Sequence, residues 1–432
     1  MKIDNLLNRD LLCACGRTHR CDISAVEIGP KALERLPQAL LEYEHILIVA
    51  DENTYPLCGE QVGALLGEQV QERCVLESEG HLIPNEAAIA RIESCLTPET
   101  DFLLGIGSGV INDLCKYVSF FHKLKCGIVG TATSMDGYSS SGAAMILGGM
   151  KVTETTHSPC VIIGDTEVLC TAPMEMVRAG YGDIIGKYSS INDWKLSRLI
   201  NGEHFCPFLC GIVQEVTDEI QDLAEAIAAR EEAAIAKLME ALVLAGVCLT
   251  LEGNTRPGSG SEHHISHYFE ITGYIDHTPH FLHGIDVGYA AVVTAMMRQR
   301  IMETAQPQFR RVPDAVRQRC YQAIYKGFAG EVRALQDRAG WYDRELSQQY
   351  QAHWDEVLNI LRQCPSADEI NRMLAAVGMD FSRLEQMYGE EKIRRGVWFA
   401  KDLKDRYSVL WLYYGLFFTE EEGEKIYGTC DL

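Results

Sequence analysis

Apolar residues in the first third of the chain come in short unbroken runs, separated by stretches of helical period. Ile46 to Ala50 (ILIVA) is followed by Asp-Glu-Asn, as a buried strand ending in a turn would be. Pro56 to Leu66 has helical period, Gln71 to Leu76 is strand-like, and Pro84 to Cys95 is helical again. Asp101 to Ile106 (DFLLGI) runs straight into GSGVINDLCKYVSFF, which predicts a strand feeding a helix from about Asn112 to Phe121. Cys126 to Val129 and Val161 to Gly164 predict two further strands, and Ala143 to Thr155, broken at Gly148 and Gly149, predicts a hairpin. Alternation this regular predicts an α/β nucleotide-binding domain, a parallel sheet with helices on both faces.

From about Cys170 the strand-like runs stop. Helical patterns follow over Met174 to Tyr181, Asp183 to Leu199, Val213 to Arg230 and Glu232 to Leu251, and they continue to the end of the chain. Ser408 to Phe418 is apolar and aromatic but short, so it reads as a buried helix. The expected division is therefore an α/β domain over 1–170 and an all-helical domain over 171–432. A chain of 432 residues can hold two cores, since single cores stop growing near roughly 250 to 300 residues.

The formal net charge of −22 argues against general nucleic-acid binding and against an anionic membrane surface, both of which would repel the chain. No long apolar stretch predicts a signal peptide or membrane insertion. Most of the sixteen cysteines stand singly among apolar neighbours, which suits reduced core thiols in a cytoplasmic protein better than a disulfide framework. Cys13, Cys15, His19 and Cys21 offer zinc-type donors, although their spacing is not that of a common ribbon or finger.

Candidate chemistry falls at three places. At the end of the strand closing on Ile106, Gly107, Ser108 and Gly109 open a helix, where backbone amides can approach a pyrophosphate; a tight strand-to-helix turn explains the same residues. The loop TATSMDGYSSSGA crowds Thr131, Thr133, Ser134 and Ser139 to Ser141 around Asp136, a composition suited to wrapping a polar ligand or to a plain surface loop. The stretch from Gly253 to Asp286 holds six of the thirteen histidines. His263 and His267, four apart on a helical pattern, project from one face, and His283 opens the next apolar run. Two imidazoles from different helices suit a divalent transition metal if a carboxylate joins them and one position stays open. Asp183, between glycines, reads as that carboxylate or as a helix-capping aspartate.

Taken together, TATSMDG, RPGSGSEHHISH, GDIIGK and HGID resemble the metal-dependent family containing iron-type alcohol dehydrogenases, glycerol dehydrogenase and dehydroquinate synthase. The resemblance implies the family's fold, with the active site in the cleft between an α/β domain and a helical domain. It implies a cytoplasmic homo-oligomer, a dimer or larger, using NAD(P)H and one divalent metal, with zinc, nickel or iron as the expected ions. By the resemblance Gly107, Ser108, Gly109, Val110 and Ile111 take the pyrophosphate, and Thr131, Ser134 and Ser140 the rest of the dinucleotide. Asp183, His263 and His283 would be metal ligands, Asp136 and His267 catalytic groups, and Asp136, Asp183, His267 and Arg256 would meet the substrate. The implied reaction is reduction of dihydroxyacetone phosphate to sn-glycerol 1-phosphate, with glycerol oxidation, a cyclase reaction or metal binding without catalysis as alternatives. Arg256 is the expected phosphate anchor, with Lys187 second or simply a solvated helix charge.

Overall fold

The computed structural model describes residues 3–428 apart from 78, 79, 81 and 149, so Gly149 of the expected hairpin lies outside the described residues. The chain divides into two compact units, Met1–Ile184 with Pro207–Gly258, and Ile185–Cys206 with Ser259–Leu432.

In the first unit, β1 (Arg9–Leu12) and β2 (Thr18–Cys21) form an antiparallel hairpin. A six-stranded sheet follows, built from β3 (Ala25–Gly29), β4 (Ile46–Asp51), β5 (Val70–Leu76), β6 (Phe102–Gly107), β7 (Lys125–Gly130) and β10 (Val161–Asp165). Its order is β5-β4-β6-β7-β10-β3, and every neighbouring pair is parallel. All six residues of β6 and five of the six in β4 are buried, as strands covered on both faces must be. The pair β8 (Gly142–Leu147) and β9 (Met150–Thr155) makes the expected hairpin. The first two strands, β1 and β2, have no clear period in the sequence; β2 alternates exposed and buried over only four residues, and β1 does not alternate.

Chain direction across the sheet reverses once. β5 lies on one side of β4, while β6 and β7 lie on the other. The turns leaving β4 and β6 therefore part company, and such a switch point is where open parallel sheets bind ligands, at the strands' carboxyl ends. Helix α1 (Gly109–Phe121) starts there, three residues earlier than its periodicity suggests, because Ser108 already has non-helical backbone and its carbonyl accepts the Asn112 amide.

Helix α2 (Met174–Asn201) merges two expected helices into one rod of 28 residues. Gly180, near the expected gap, is there for packing: a Cβ on it would stand 1.9 Å from the Thr133 carbonyl oxygen. Helix α3 (Glu232–Glu252) belongs to the first unit and ends at Gly253, whose left-handed φ of 75° lets the chain turn away. It is long and apolar enough to cross a membrane, yet 78% of its apolar window is buried, so its hydrophobicity is spent on the core.

The second unit is helical. Its leading pair is α4 (Ser261–Asp276) and α5 (His283–Met302), followed by further helices as far as Tyr427. The expected buried helix appears as Val409–Phe417, and the surrounding core is rich in Tyr, Trp and Phe. Within it Lys401 is wholly buried, 2.7 Å from the Tyr342 hydroxyl and 2.8 Å from Asp402, with its ammonium 4.0 Å from the Tyr414 ring centre. Burial lowers its pKa to about 8 despite the neighbouring carboxylate.

Candidate functional site

Gly107 closes β6 and Gly109 begins α1, so the expected pyrophosphate turn sits at the carboxyl edge of the sheet beside the switch point. A Cβ on Gly107 would stand 2.5 Å from Ile111 Cγ1, and glycine there lets the helix start against the strand. The amides of Gly109, Val110 and Ile111 precede the first intrahelical hydrogen bond, and no acidic side chain occupies that first turn. Such an end attracts a phosphate through oriented N–H groups and the helix dipole.

The loop after β7 is tied down by groups that sequence reasoning passed over. Asn112 Nδ2 donates to the carbonyls of Gly137 and Tyr138, and the buried Lys116 ammonium donates to those of Gly137 (3.1 Å) and Gly142 while pairing with Asp113 at 2.8 Å. Their i, i+4 spacing on an otherwise apolar helix face was the available signal. Ser139 donates to the Val243 carbonyl at 2.6 Å, and Ser140 to that of Gly137 at 3.2 Å, so both hydroxyls also serve the loop's own shape. Thr131 is buried, Ser134 half-buried, and the Thr133 hydroxyl is buried without a partner among the described residues. Asp51, at the end of β4, accepts the amides of Asn53 and Thr54, which makes it a turn-former.

Asp136 is buried in this loop, and its amide donates to Asp183 Oδ2 at 2.9 Å. Asp183 stands in the middle of α2 rather than at a helix start, so the capping alternative fails. Two residues on, α2 enters the second unit, where Gly186 packs against Val287 and Gly260 against Ser190 and Asp193. Asp193 then caps α4 by accepting the Ser261 amide at 2.6 Å, and Arg298 neutralises it at 2.9 Å.

On α4 and α5 three imidazoles gather. Ring centres of His263 and His283 are 5.0 Å apart, of His267 and His283 5.4 Å, and of His263 and His267 6.0 Å. One ligand atom from each of Asp183, His263 and His283 lies within 4.8 Å of the other two. The exposed His277 and His280 take no part. Glu262, unnoticed in the sequence, sets the orientation: its Oε1 accepts the Gly260 amide and His263 Nδ1, each at 2.7 Å. That oxygen is an acceptor in both bonds, so His263 keeps its proton on Nδ1 and presents a lone pair at Nε2. Burial raises the Glu262 pKa, with the Gly260 amide, Lys187 and Arg298 pulling the other way. Ser266 Oγ lies 3.4 Å from His283 Nδ1. Two imidazoles with lone pairs available and one carboxylate fit a divalent transition metal.

Arg256 is buried in a turn where its amide bonds Asn254 Oδ1 at 2.8 Å. Lys187 is wholly buried, which overturns its reading as a solvated charge. Of the N-terminal set, Cys21 does not join Cys13, Cys15 and His19; Cys206, remote in sequence, takes the fourth place.

The profile of the iron-containing alcohol dehydrogenase family matches residues 27–173. The glycerol-1-phosphate dehydrogenase [NAD(P)+] of Halalkalibacterium halodurans is 31% identical over 373 residues, covering 85% of this chain and 86% of the relative. The enzyme of that name from Bacillus subtilis is 33% identical over 316 residues, covering 71% and 79%. Among solved structures, sulfoacetaldehyde reductase from Bifidobacterium kashiwanohense in complex with NAD+ matches with a TM-score of 0.62 at 13% identity, covering 97% of this chain and 98% of that one, a likeness of fold.

Proposed function

Because the chain belongs to the iron-containing alcohol dehydrogenase family, on its glycerol-1-phosphate dehydrogenase branch, we infer that it reduces dihydroxyacetone phosphate to sn-glycerol 1-phosphate with NAD(P)H. The observation that carries the reading to its residues is the convergence of Asp183, His263 and His283, with the Glu262 carboxylate fixing the ring of His263.

In this reading residues 1–170 carry the dinucleotide and 171–432 the metal and substrate. Asp183, His263 and His283 hold one divalent ion, and two imidazoles with one carboxylate suit zinc or nickel, with iron(II) also compatible. When bound, the metal supplies Lewis acidity at the ketone oxygen and the reduced nicotinamide supplies the hydride. Gly107, Ser108, Gly109 and the amides of Val110 and Ile111 receive the pyrophosphate, and Thr131, Ser134 and Ser140 line the rest of the dinucleotide. Asp136 orients the substrate hydroxyl, with its own backbone held by Asp183. His267 delivers the proton that the new alcohol needs and recovers it from water. Arg256 anchors the substrate phosphate, a role a charged and buried guanidinium suits in a chain of net charge −22. The working form is a homo-oligomer in the cytoplasm.

The test is the loss of reduced-nicotinamide absorbance with dihydroxyacetone phosphate or dihydroxyacetone, before and after chelation and metal re-addition. Turnover confined to the phosphorylated ketone and restored by metal is the expected result. Equal turnover of both ketones would move the chain to a polyol dehydrogenase, and metal-independent turnover would remove the role given to Asp183, His263 and His283. In the same assay Asp136→Asn should lose turnover and keep its metal.

A further inference from the structure

The hairpin of β1 and β2 carries a second cluster of soft donors that the reduction reaction does not use. Its turn is tight: the Gly16 amide donates to the Cys13 carbonyl at 3.0 Å, the Cys13 amide to that of Arg17 at 3.1 Å, and Gly16 takes a φ of 91°. This places Cys13 and Cys15 over β2, where His19 points inward and is almost fully buried. His19 Nδ1 lies 2.7 Å from the Leu251 carbonyl oxygen. A carbonyl can only accept, so the proton is on Nδ1 and the lone pair is on Nε2. Nε2 in turn lies 3.3 Å from Cys15 Sγ. The fourth donor is Cys206, which the peptide bond to Pro207 ties to the start of helix Pro207–Gln221. One donor atom from each of Cys13, Cys15, His19 and Cys206 lies within 4.8 Å of all the others.

We propose that Cys13, Cys15, His19 and Cys206 form a structural zinc site. Three thiolates and one imidazole are a tetrahedral zinc set, and with bonds of about 2.3 Å to sulfur and about 2.0 Å to nitrogen the sulfur-to-nitrogen edge is about 3.5 Å, close to that found for Cys15 and His19. The backbone carbonyl behind His19 is the usual outer partner of a zinc-bound imidazole. All four positions are protein ligands, so none is left for substrate. The ion holds the hairpin to the residue preceding helix Pro207–Gln221, while the Arg17–Glu252 ion pair at 3.0 Å ties the same hairpin to the carboxyl end of α3. Binding displaces the thiol protons to solvent. The proposal does not depend on the function assigned to Asp183, His263 and His283, a set that contains no sulfur.

That difference in donors supplies the test. The full chain is loaded with cobalt(II) in place of its native metals, and its absorption spectrum is recorded alongside zinc analysis of the native protein. Of the two donor sets, only the cysteine cluster can give a thiolate-to-cobalt charge-transfer band. The band is expected in the parent, absent in Cys13→Ser/Cys15→Ser, and intact in the neighbouring Cys21→Ser, with one zinc per chain lost from the double variant. A parent without the band overturns the proposal whether or not the double variant folds, and so does a band that survives the double substitution.

Discussion

Glu262 is the residue whose importance rests on a single oxygen. Its Oε1 holds the Nδ1 proton of His263, and outer partners of that kind commonly contribute about 10- to 100-fold in metal affinity. Glu262→Ala is expected to weaken metal binding by that order in a chelator competition, while Glu262→Gln, whose amide oxygen still accepts, recovers most of it. Equal losses for the two variants would mean that the position matters for packing alone. Arg256→Ala should raise KM for dihydroxyacetone phosphate by roughly 10- to 100-fold, the worth of a hydrogen bond to a charged group, and change KM for dihydroxyacetone little. A matching rise for both ketones would take the phosphate away from Arg256. Helical spacing picks out His263 and His267 in the sequence, and the family's motifs add Asp183 and His283. Glu262 could not be picked out, since an acid beside a histidine means nothing until the ring's direction is known.

At the level of elements, the turn at Gly107 to Gly109 and the serine-rich loop are held in place by contact with helices. Gly107→Ala would push a methyl to 2.5 Å from Ile111, and lifting α1 by the required amount should cost about 1 to 3 kcal/mol and weaken dinucleotide binding. Gly180→Ala is expected to be worse, because the atom it meets at 1.9 Å is a backbone oxygen with no rotamer to change. Urea titration of the two variants checks the order; a milder Gly180→Ala would mean that α2 is not pressed against the loop. Lys116→Met removes the ammonium that gathers the carbonyls of Gly137 and Gly142, so it should raise the Kd for NAD(P)H, read by fluorescence, more than it lowers stability. Unbroken apolar runs made the central strands legible, and turn composition made the hairpin of β8 and β9 legible. The single helix α2 was expected as two, and β1 and β2 escaped because four residues hold too few periods.

For the whole molecule the pH dependence of stability has a definite sign. Burial pushes the thiols of Cys58, Cys126 and Cys320 up to about 12 from 9.0. The folded chain keeps those protons where the unfolded chain sheds them, so their contribution is complete below about pH 9 and is lost as pH climbs toward about 12. Lys401 acts in reverse: its folded value of about 8 lies below 10.5, the unfolded chain binds more protons between the two, and stability rises with pH there. Several thiols outweigh one lysine, so Tm should hold up to about pH 9 and fall beyond it; a Tm level to about pH 11 would contradict this. The hairpin of β1 and β2 has a consequence on another timescale. His19 meets Leu251 across 232 residues of sequence. At about 5 to 20 residues per second, a ribosome takes roughly 10 to 50 s to deliver the helix that covers it. Until then the nascent chain carries His19 and Cys21, both buried in the finished fold, without that helix against β2, so translation speed sets how long oxidants and chaperones have access to them.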